Sequence, residues 1–210
     1  MQGRALDKPS RRGLADSARF LKTLVAAPRL TGAVAPSGRA LARAMAAATG
    51  SPSRGLIVEL GPGTGPVTQS LIEARVSSER LVLVEYDPGF CRMLERRFGG
   101  VRVIQGDAYD LPHTLAPFAG QAIAAVVSSL PLLNQPPRRR EKLIGDAFAL
   151  MGPAGVFVQF TYGLQSPIPR EFCANRYSAL RSRPILLNLP PAFVWTYRLD
   201  RKDSDAVEGR

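Results

Sequence analysis

Apolar positions follow two successive rhythms along the chain. From Gly13 to Ala27 the spacing is helical. At about 100° per residue, Leu14, Ala18, Leu21, Leu24 and Val25 share one side with Phe20 at its edge, while Arg19 and Lys22 fall opposite. Pro28 ends this run. A second helix is expected from Pro36 or Ser37 to Ala48, with Ser37 as its N-cap and Gly50 and Pro52 as stops. The rhythm then changes to short apolar runs at Leu56–Leu60, Leu81–Tyr86, Val101–Gln105, Ile123–Ser128 and Val156–Tyr162. Helix-like stretches separate three of the gaps: Pro66–Val76, Pro88–Phe98 and Arg138–Met151. Strand-like runs alternating with helices of about ten residues indicate βαβ units and a parallel sheet. Two β-like runs close the pattern, Ile185–Leu189 and Phe193–Leu199, joined by Pro190-Pro191-Ala192. With no room for a helix between them, they are expected to form an antiparallel hairpin at one end of the sheet, with Trp195 in its core. The polar stretch Asp200 to Arg210 is expected to fray.

Charge changes this picture at the N-terminal end. The 210 residues carry a formal net charge of +11. Residues 1–54 hold ten Arg and Lys against two Asp, so this quarter supplies +8 of the total. The expected organisation is a basic amphipathic extension over 1–54 suited to lying on an anionic surface and covering the domain that follows, an α/β domain over 55–199 and a polar tail over 200–210. A pI near 10.6 points to a polyanionic partner, either nucleic acid or an anionic membrane surface. No stretch approaches the roughly 18 apolar residues of a membrane span; Ala122–Leu133 is broken by Ser128, Ser129 and Pro131. No signal-type apolar run follows the basic N-terminus. Cys91 and Cys173 form no CxxC pair, and His113 completes no familiar zinc spacing with them, so both read as reduced core thiols and no metal site is expected. Arg138-Arg139-Arg140 reads as a solvated helix start.

Candidate chemistry lies at the ends of three successive strand runs. Gly61, Gly63 and Gly65 connect the first run to a helix, where glycine permits positive φ and a close backbone approach to a ligand. The spacing is GxGxG, and Pro66 removes a donor a pyrophosphate would use, which disfavours a dinucleotide. Glu85 ends the second run at the distance where a carboxylate grips a ribose diol. Gly106-Asp107-Ala108 ends the third, offering an acceptor for an adenine amino group and room for its ring.

These segments, Glu59-Leu60-Gly61-Pro62-Gly63-Thr64-Gly65, Val84-Glu85 and Gly106-Asp107-Ala108, resemble motifs I, II and III of the class I S-adenosylmethionine-dependent methyltransferases. The resemblance implies a Rossmann-like, seven-stranded, mostly parallel sheet with an antiparallel C-terminal hairpin. It implies S-adenosylmethionine as cofactor. Glu59 and the loop Gly61, Pro62, Gly63, Thr64 and Gly65 would hold its methionine part, Glu85 and Tyr86 its ribose side, and Gly106, Asp107, Ala108 and Ser128 its adenine side and surroundings. After the fourth strand, ribosomal RNA adenine dimethyltransferases carry Asn-Leu-Pro-Tyr or close to it, whereas this chain reads Ser129-Leu130-Pro131-Leu132. The aromatic that stacks on the base is absent.

Ser129-Leu130-Pro131-Leu132-Leu133, with Thr31-Gly32-Ala33-Val34-Ala35-Pro36-Ser37 and Arg39-Ala40-Leu41-Ala42, is similar instead to the small bacterial phospholipid N-methyltransferases. That resemblance implies transfer of methyl groups to phosphatidylethanolamine towards phosphatidylcholine. It implies a peripheral place on the inner face of the cell membrane, with a phospholipid substrate and no nucleic acid partner. The helix bearing Leu14, Arg19, Phe20, Leu21, Lys22, Leu24 and Val25 would lie in the headgroup boundary. Ser129, Tyr109 and Tyr162 are the candidate substrate residues, the two tyrosines as aromatic faces for a methylated ammonium. His113 is a candidate base, and Arg170, Arg176, Arg181 and Arg183 are candidates for the lipid phosphate. An RNA adenine N6-methyltransferase and a non-catalytic nucleic-acid binder that keeps a relic cofactor fold are the alternatives.

Overall fold

The computed structural model describes residues 36–200 apart from Asn175 and Leu189. The helix expected at 13–27 and the tail beyond 200 lie outside the described residues.

Seven strands form one sheet in the order β3-β2-β1-β4-β5-β7-β6. They are β1 (Leu56–Leu60), β2 (Leu81–Glu85), β3 (Arg102–Gln105), β4 (Ile123–Ser128), β5 (Val156–Thr161), β6 (Tyr177–Arg181) and β7 (Phe193–Leu199). β1 pairs in parallel with both β2 and β4, β2 with β3, and β4 with β5. β7 alone runs antiparallel, between β5 and β6. The interior strands β1 and β2 are buried at every position, which is why they read as apolar runs broken only by Glu59 and Glu85.

Helices cover both faces. On one, α1 (Pro36–Ala48) and α2 (Pro66–Glu73) set Leu41, Met45, Val67 and Leu71 against Ile57, Val127 and Val158. α1 is thus part of the domain core, although by charge it groups with the N-terminal extension. It stops at Thr49, whose Oγ1 donates to the Ala46 carbonyl at 2.7 Å, and at Gly50 with φ 71°. α3 (Pro88–Arg97) packs Leu94 and the adjacent Phe98 on Leu83. On the other face, a short α4 (Leu111–Thr114) and α5 (Pro137–Met151) bury Leu111, Leu143, Ile144 and Phe148 against Val58, Val126 and Phe157. A single turn, α6 (Arg170–Cys173), leads into β6.

The C-terminal hairpin is present, but its first strand is Tyr177–Arg181 and not Ile185–Leu189. Ile185 makes one isolated bridge to Ala192, and Leu186 and Leu187 lie in the turn beyond it, each 73% exposed. The edge strand β6 buries only Tyr177, so it carries little of the apolar alternation that marks a strand in sequence. Trp195 is buried in the hairpin, as expected.

Candidate active site

After β3 the chain crosses back over β2 and β1 to add β4, so the strand order reverses between β1 and β4. Ligands of open α/β sheets bind beyond the carboxyl ends of strands at such a switch point. The glycine loop leaves β1 there. Gly61, Gly63 and Gly65 have φ of 65°, 55° and 81°, a region costly for any residue with a Cβ. A Cβ on Gly61 would lie 2.8 Å from Leu130 Cδ2, and one on Gly65 would lie 2.4 Å from Phe98. The loop is therefore wedged between the β4 connection and α3.

Two carboxylates are buried among the described residues, and both face this loop. Glu59 is fully enclosed; Thr68 Oγ1 on α2 donates to its Oε2 at 2.6 Å, and its Oε1 has no hydrogen-bond partner. Burial pushes its carboxyl up from 4.5 to about 8; the Thr68 bond opposes this and the neighbouring Glu85 adds to it. Glu85 is built differently. Its Oε1 accepts from the backbone N–H of Tyr86 at 2.8 Å and of Asp87 at 3.0 Å, and its Oε2 accepts from Gly63 N–H at 3.1 Å. A carboxylate has about four lone-pair directions, so one remains on Oε2, and the weaker Gly63 bond can yield to a hydroxyl. Tyr86 beside it is 59% exposed.

At the end of β3, Gly106 approaches Thr114 so closely that a Cβ would meet its Cγ2 at 2.6 Å. Asp107 Oδ1 accepts from Tyr109 N–H at 2.8 Å, leaving Oδ2 toward solvent and 3.9 Å from Arg139 Nη2. Ala108 is buried beneath. On β4, Ser128 is buried and its Oγ accepts from Leu130 N–H at 3.4 Å, while Ser129 N–H donates to the Leu60 carbonyl at 2.9 Å. Ser129 is thus hydrogen-bonded directly to the root of the glycine loop.

The structure gathers Glu59, the glycines, Glu85, Tyr86, Asp107, Ser128 and Ser129 along the carboxyl ends of β1 to β4. Tyr162 is 41% exposed just past β5, edge-on to Phe160. Tyr109 differs from expectation. Its ring face is already covered by the Arg139 guanidinium, 4.0 Å from the centroid, so that face does not receive a ligand cation. Burial pushes its hydroxyl up to about 12, so it stays protonated near neutral pH. Arg138-Arg139-Arg140 is not uniformly solvated either: Arg139 stacks on Tyr109, and Arg140 Nη1 donates to the Pro167 carbonyl at 2.7 Å. His113 is exposed on α4. Arg170 and Arg181 line one cavity of ≈ 590 Å³ with Ser166 and Trp195; Arg176 and Arg183 do not. Cys91 and Cys173 are free and buried.

Three contributors were not singled out in sequence. Thr68 holds Glu59, Arg139 covers Tyr109, and Gln159 Nε2 donates to the Leu130 carbonyl at 2.9 Å and orders the segment beside Ser129. Thr68 follows the last loop glycine by one helical turn, a spacing that places it under the loop; the other two have no local signal.

Strand order, the lone antiparallel β7 and a glycine loop at the switch point define the class I methyltransferase fold. Solved structures agree. The 1,6-didemethyltoxoflavin-N1-methyltransferase of Burkholderia thailandensis superposes with a TM-score of 0.64 at 17% identity, covering 92% of this chain and 93% of that one. A TehB-like S-adenosylmethionine-dependent methyltransferase of Corynebacterium glutamicum superposes with a TM-score of 0.57 at 13% identity, covering 89% and 99%. In sequence, the chain is 33% identical over 109 residues to an ornithine lipid N-methyltransferase of Singulisphaera acidiphila, covering 50% of this chain and 57% of that protein. It is also 33% identical over 100 residues to ribosomal RNA small subunit methyltransferase A of a Synechococcus strain, covering 42% and 34%. The chain therefore spans little more than half, and about a third, of these curated relatives. No protein-family model matches.

Proposed function

We propose that this chain is an S-adenosylmethionine-dependent N-methyltransferase acting on the amine of a membrane lipid, with phosphatidylethanolamine and its mono- and dimethyl forms as substrates towards phosphatidylcholine. The residues present fit the cofactor. The unpartnered Glu59 Oε1 offers a buried site for an ammonium, the positive-φ loop leaves room for a chain without displacing a Cβ, and Glu85 keeps an acceptor direction for a diol. Asp107 Oδ2 is open to an adenine amino group, and the exposed Tyr86 offers the ribose and base an apolar neighbour. When bound, S-adenosylmethionine supplies an electrophilic methyl group on a sulfonium.

What remains for the chain is to hold an unprotonated amine in line, and orientation of this kind contributes much of a transfer's acceleration. Ser129 stands half-buried just past β4, tied to the glycine loop through Leu60 and next to the Gln159-ordered Leu130 carbonyl. Tyr162 offers an aromatic face to a group that gains methyls and positive charge. The amine attacks only after its ammonium has lost a proton, to a tyrosine, an aspartate or water.

The observation that carries the lipid reading is Leu132. It occupies the place of the base-stacking aromatic of RNA adenine methyltransferases and is 1% exposed within the core, so it presents nothing to a base. A stacked base is worth about 1–3 kcal/mol, and that contribution is missing here. The likeness to an ornithine lipid N-methyltransferase favours a second substrate of the same chemistry, the primary amine of an ornithine lipid. Labelled S-adenosylmethionine offered with phosphatidylethanolamine vesicles, ornithine lipid vesicles or small-subunit ribosomal RNA separates these readings. Label in either lipid supports the proposal and identifies the amine; label in RNA alone refutes it. The amphipathic segment Leu14–Val25 is proposed as a membrane anchor on its sequence pattern and charge.

A further inference from the structure

Large apolar side chains are unevenly exposed. Among the described residues, seven are open to solvent, and five of them, Leu133, Tyr162, Leu164, Leu186 and Leu187, lie on the connections that leave β4, β5 and β6. Of the remaining two, Tyr86 belongs to the cofactor site and Leu180 to the edge strand. These three connections share one edge of the sheet. Thr161 at the end of β5 pairs with Phe193 at the start of β7, and Arg181 at the end of β6 pairs with Trp195. The β6–β7 turn therefore stands at the same carboxyl edge as the glycine loop. The connections at the opposite edge carry none of the exposed large apolar side chains.

The three connections are linked in series. Leu133 Cδ1 lies within 3.3 Å of where a Cβ on Gly163 would stand, joining the β4 and β5 connections. Arg181 Nη1 donates to the Leu164 carbonyl at 2.7 Å, joining β6 to the β5 connection. The Ile185–Ala192 bridge closes the last turn and presents Leu186 and Leu187 at its tip. Charge on the rim is mainly positive. Residues 129–136, 162–169 and 182–192 contain Arg183 and no carboxylate, and the elements they join add Arg138, Arg170 and Arg181 at their ends, with Glu171 beside Arg170. Arg181 is a fixed cation, stacked 5.0 Å from the Phe193 centroid.

We propose that this carboxyl edge is a docking surface for an anionic phospholipid bilayer, with Leu186 and Leu187 entering the headgroup boundary while Arg183, Arg170 and Arg181 meet lipid phosphates. Exposed aliphatic tips ringed by cations match a lipid surface. A nucleic acid would call for exposed rings, and the rim offers only Tyr162. The docking extends the lipid reading of the site, on which its purpose rests: the carboxyl edge that carries Ser129 faces the bilayer, so a lipid amine reaches it without leaving the membrane.

The test uses the full chain with phosphatidylcholine vesicles, with and without phosphatidylglycerol. The double variant Leu186→Ser/Leu187→Ser should partition roughly tenfold more weakly to the anionic vesicles. Its melting temperature should be unchanged, because both side chains are mostly exposed in the folded chain. An environment-sensitive fluorophore attached through Leu187→Cys should shift to the blue on anionic vesicles, whereas one attached through Ala154→Cys at the opposite edge should not. Wild-type partitioning of the double variant, or no shift at position 187, overturns the proposal. So does a Leu187 probe already shifted without vesicles, since another part of the chain or a second copy would then cover the rim. A shift in a protein that methylates no lipid amine would keep the docking surface and remove the substrate; lipid methylation without a shift would remove the docking surface alone.

Discussion

Glu59 lies two residues before the glycine loop and Glu85 is hydrogen-bonded to it, and the two are held in opposite ways. Glu59 is fully buried with one side-chain donor and an unpartnered oxygen, so the neutral acid is favoured. In the unfolded chain the same group titrates near 4.5, so between about 4.5 and 8 the folded state holds a proton the unfolded state has lost. Stability from this group is therefore complete below 4.5 and falls as pH rises to about 8. Glu59→Gln should flatten that fall, with the variant gaining roughly 2–5 kcal/mol relative to wild type between pH 5 and pH 8 in cofactor-free denaturant titrations. If a bound ammonium meets Glu59, its carboxyl returns to its ordinary range and a proton is released. Calorimetry near pH 7 in buffers of different ionisation enthalpy should then show up to one proton released in wild type and none in Glu59→Gln. Glu85 acts through geometry, accepting three backbone N–H bonds. Glu85→Gln replaces one acceptor oxygen by a donor and should weaken S-adenosylmethionine binding about 10- to 100-fold by calorimetry, the equivalent of roughly 1.5–3 kcal/mol.

At the scale of elements, the glycine loop is both a ligand cradle and a packing joint. Gly65 caps α2 in the left-handed region and sits against Phe98, which closes α3. Gly65→Ala imposes an unfavourable φ and a 2.4 Å contact together. It should cost about 2–4 kcal/mol in chemical denaturation, and α3 with Phe98 should shift to make room. α2 and α3 were legible because their starts carry local signals: Pro66 follows a left-handed glycine, and Asp87 Oδ1 accepts from Gly89 and Phe90 N–H ahead of a Pro88 start. β6 was not legible. An exposed edge strand has no buried face to impose alternation, and the richer run at Ile185–Leu187 drew the assignment instead. Those leucines are apolar because of what they face outside the fold, on the docking reading, and not because they fill a core.

At the scale of the whole molecule, charge and apolar exposure are both polarised. Residues 1–54 carry most of the net positive charge, and the sheet's carboxyl edge carries most of the exposed apolar side chains among the described residues. No described helix is long and apolar enough to cross a membrane. Each feature suits attachment to an anionic surface. Deleting Met1–Ala27 should reduce sedimentation with anionic vesicles by an order of magnitude or so at low salt, since each surface cation is worth about 1 kcal/mol, with a smaller loss at high salt. Combined with Leu186→Ser/Leu187→Ser, it should abolish vesicle binding, while calorimetric affinity for the cofactor persists.

Local sequence determined the strand and helix alternation, the loop, and the three acidic positions at successive strand ends. These follow from turn chemistry, caps and periodicity, which act over a few residues. Tertiary structure alone decided which edge strand pairs with β7, that Arg139 covers Tyr109, and that leucines from three separate connections stand at one edge of the sheet. Each of these joins residues 30 or more apart in the chain or depends on a side chain with no buried face, and no short-range pattern encodes such a pairing. The glycine loop stands between the two: its φ angles are local, but its seat between Leu130 and Phe98 is set by the folded sheet.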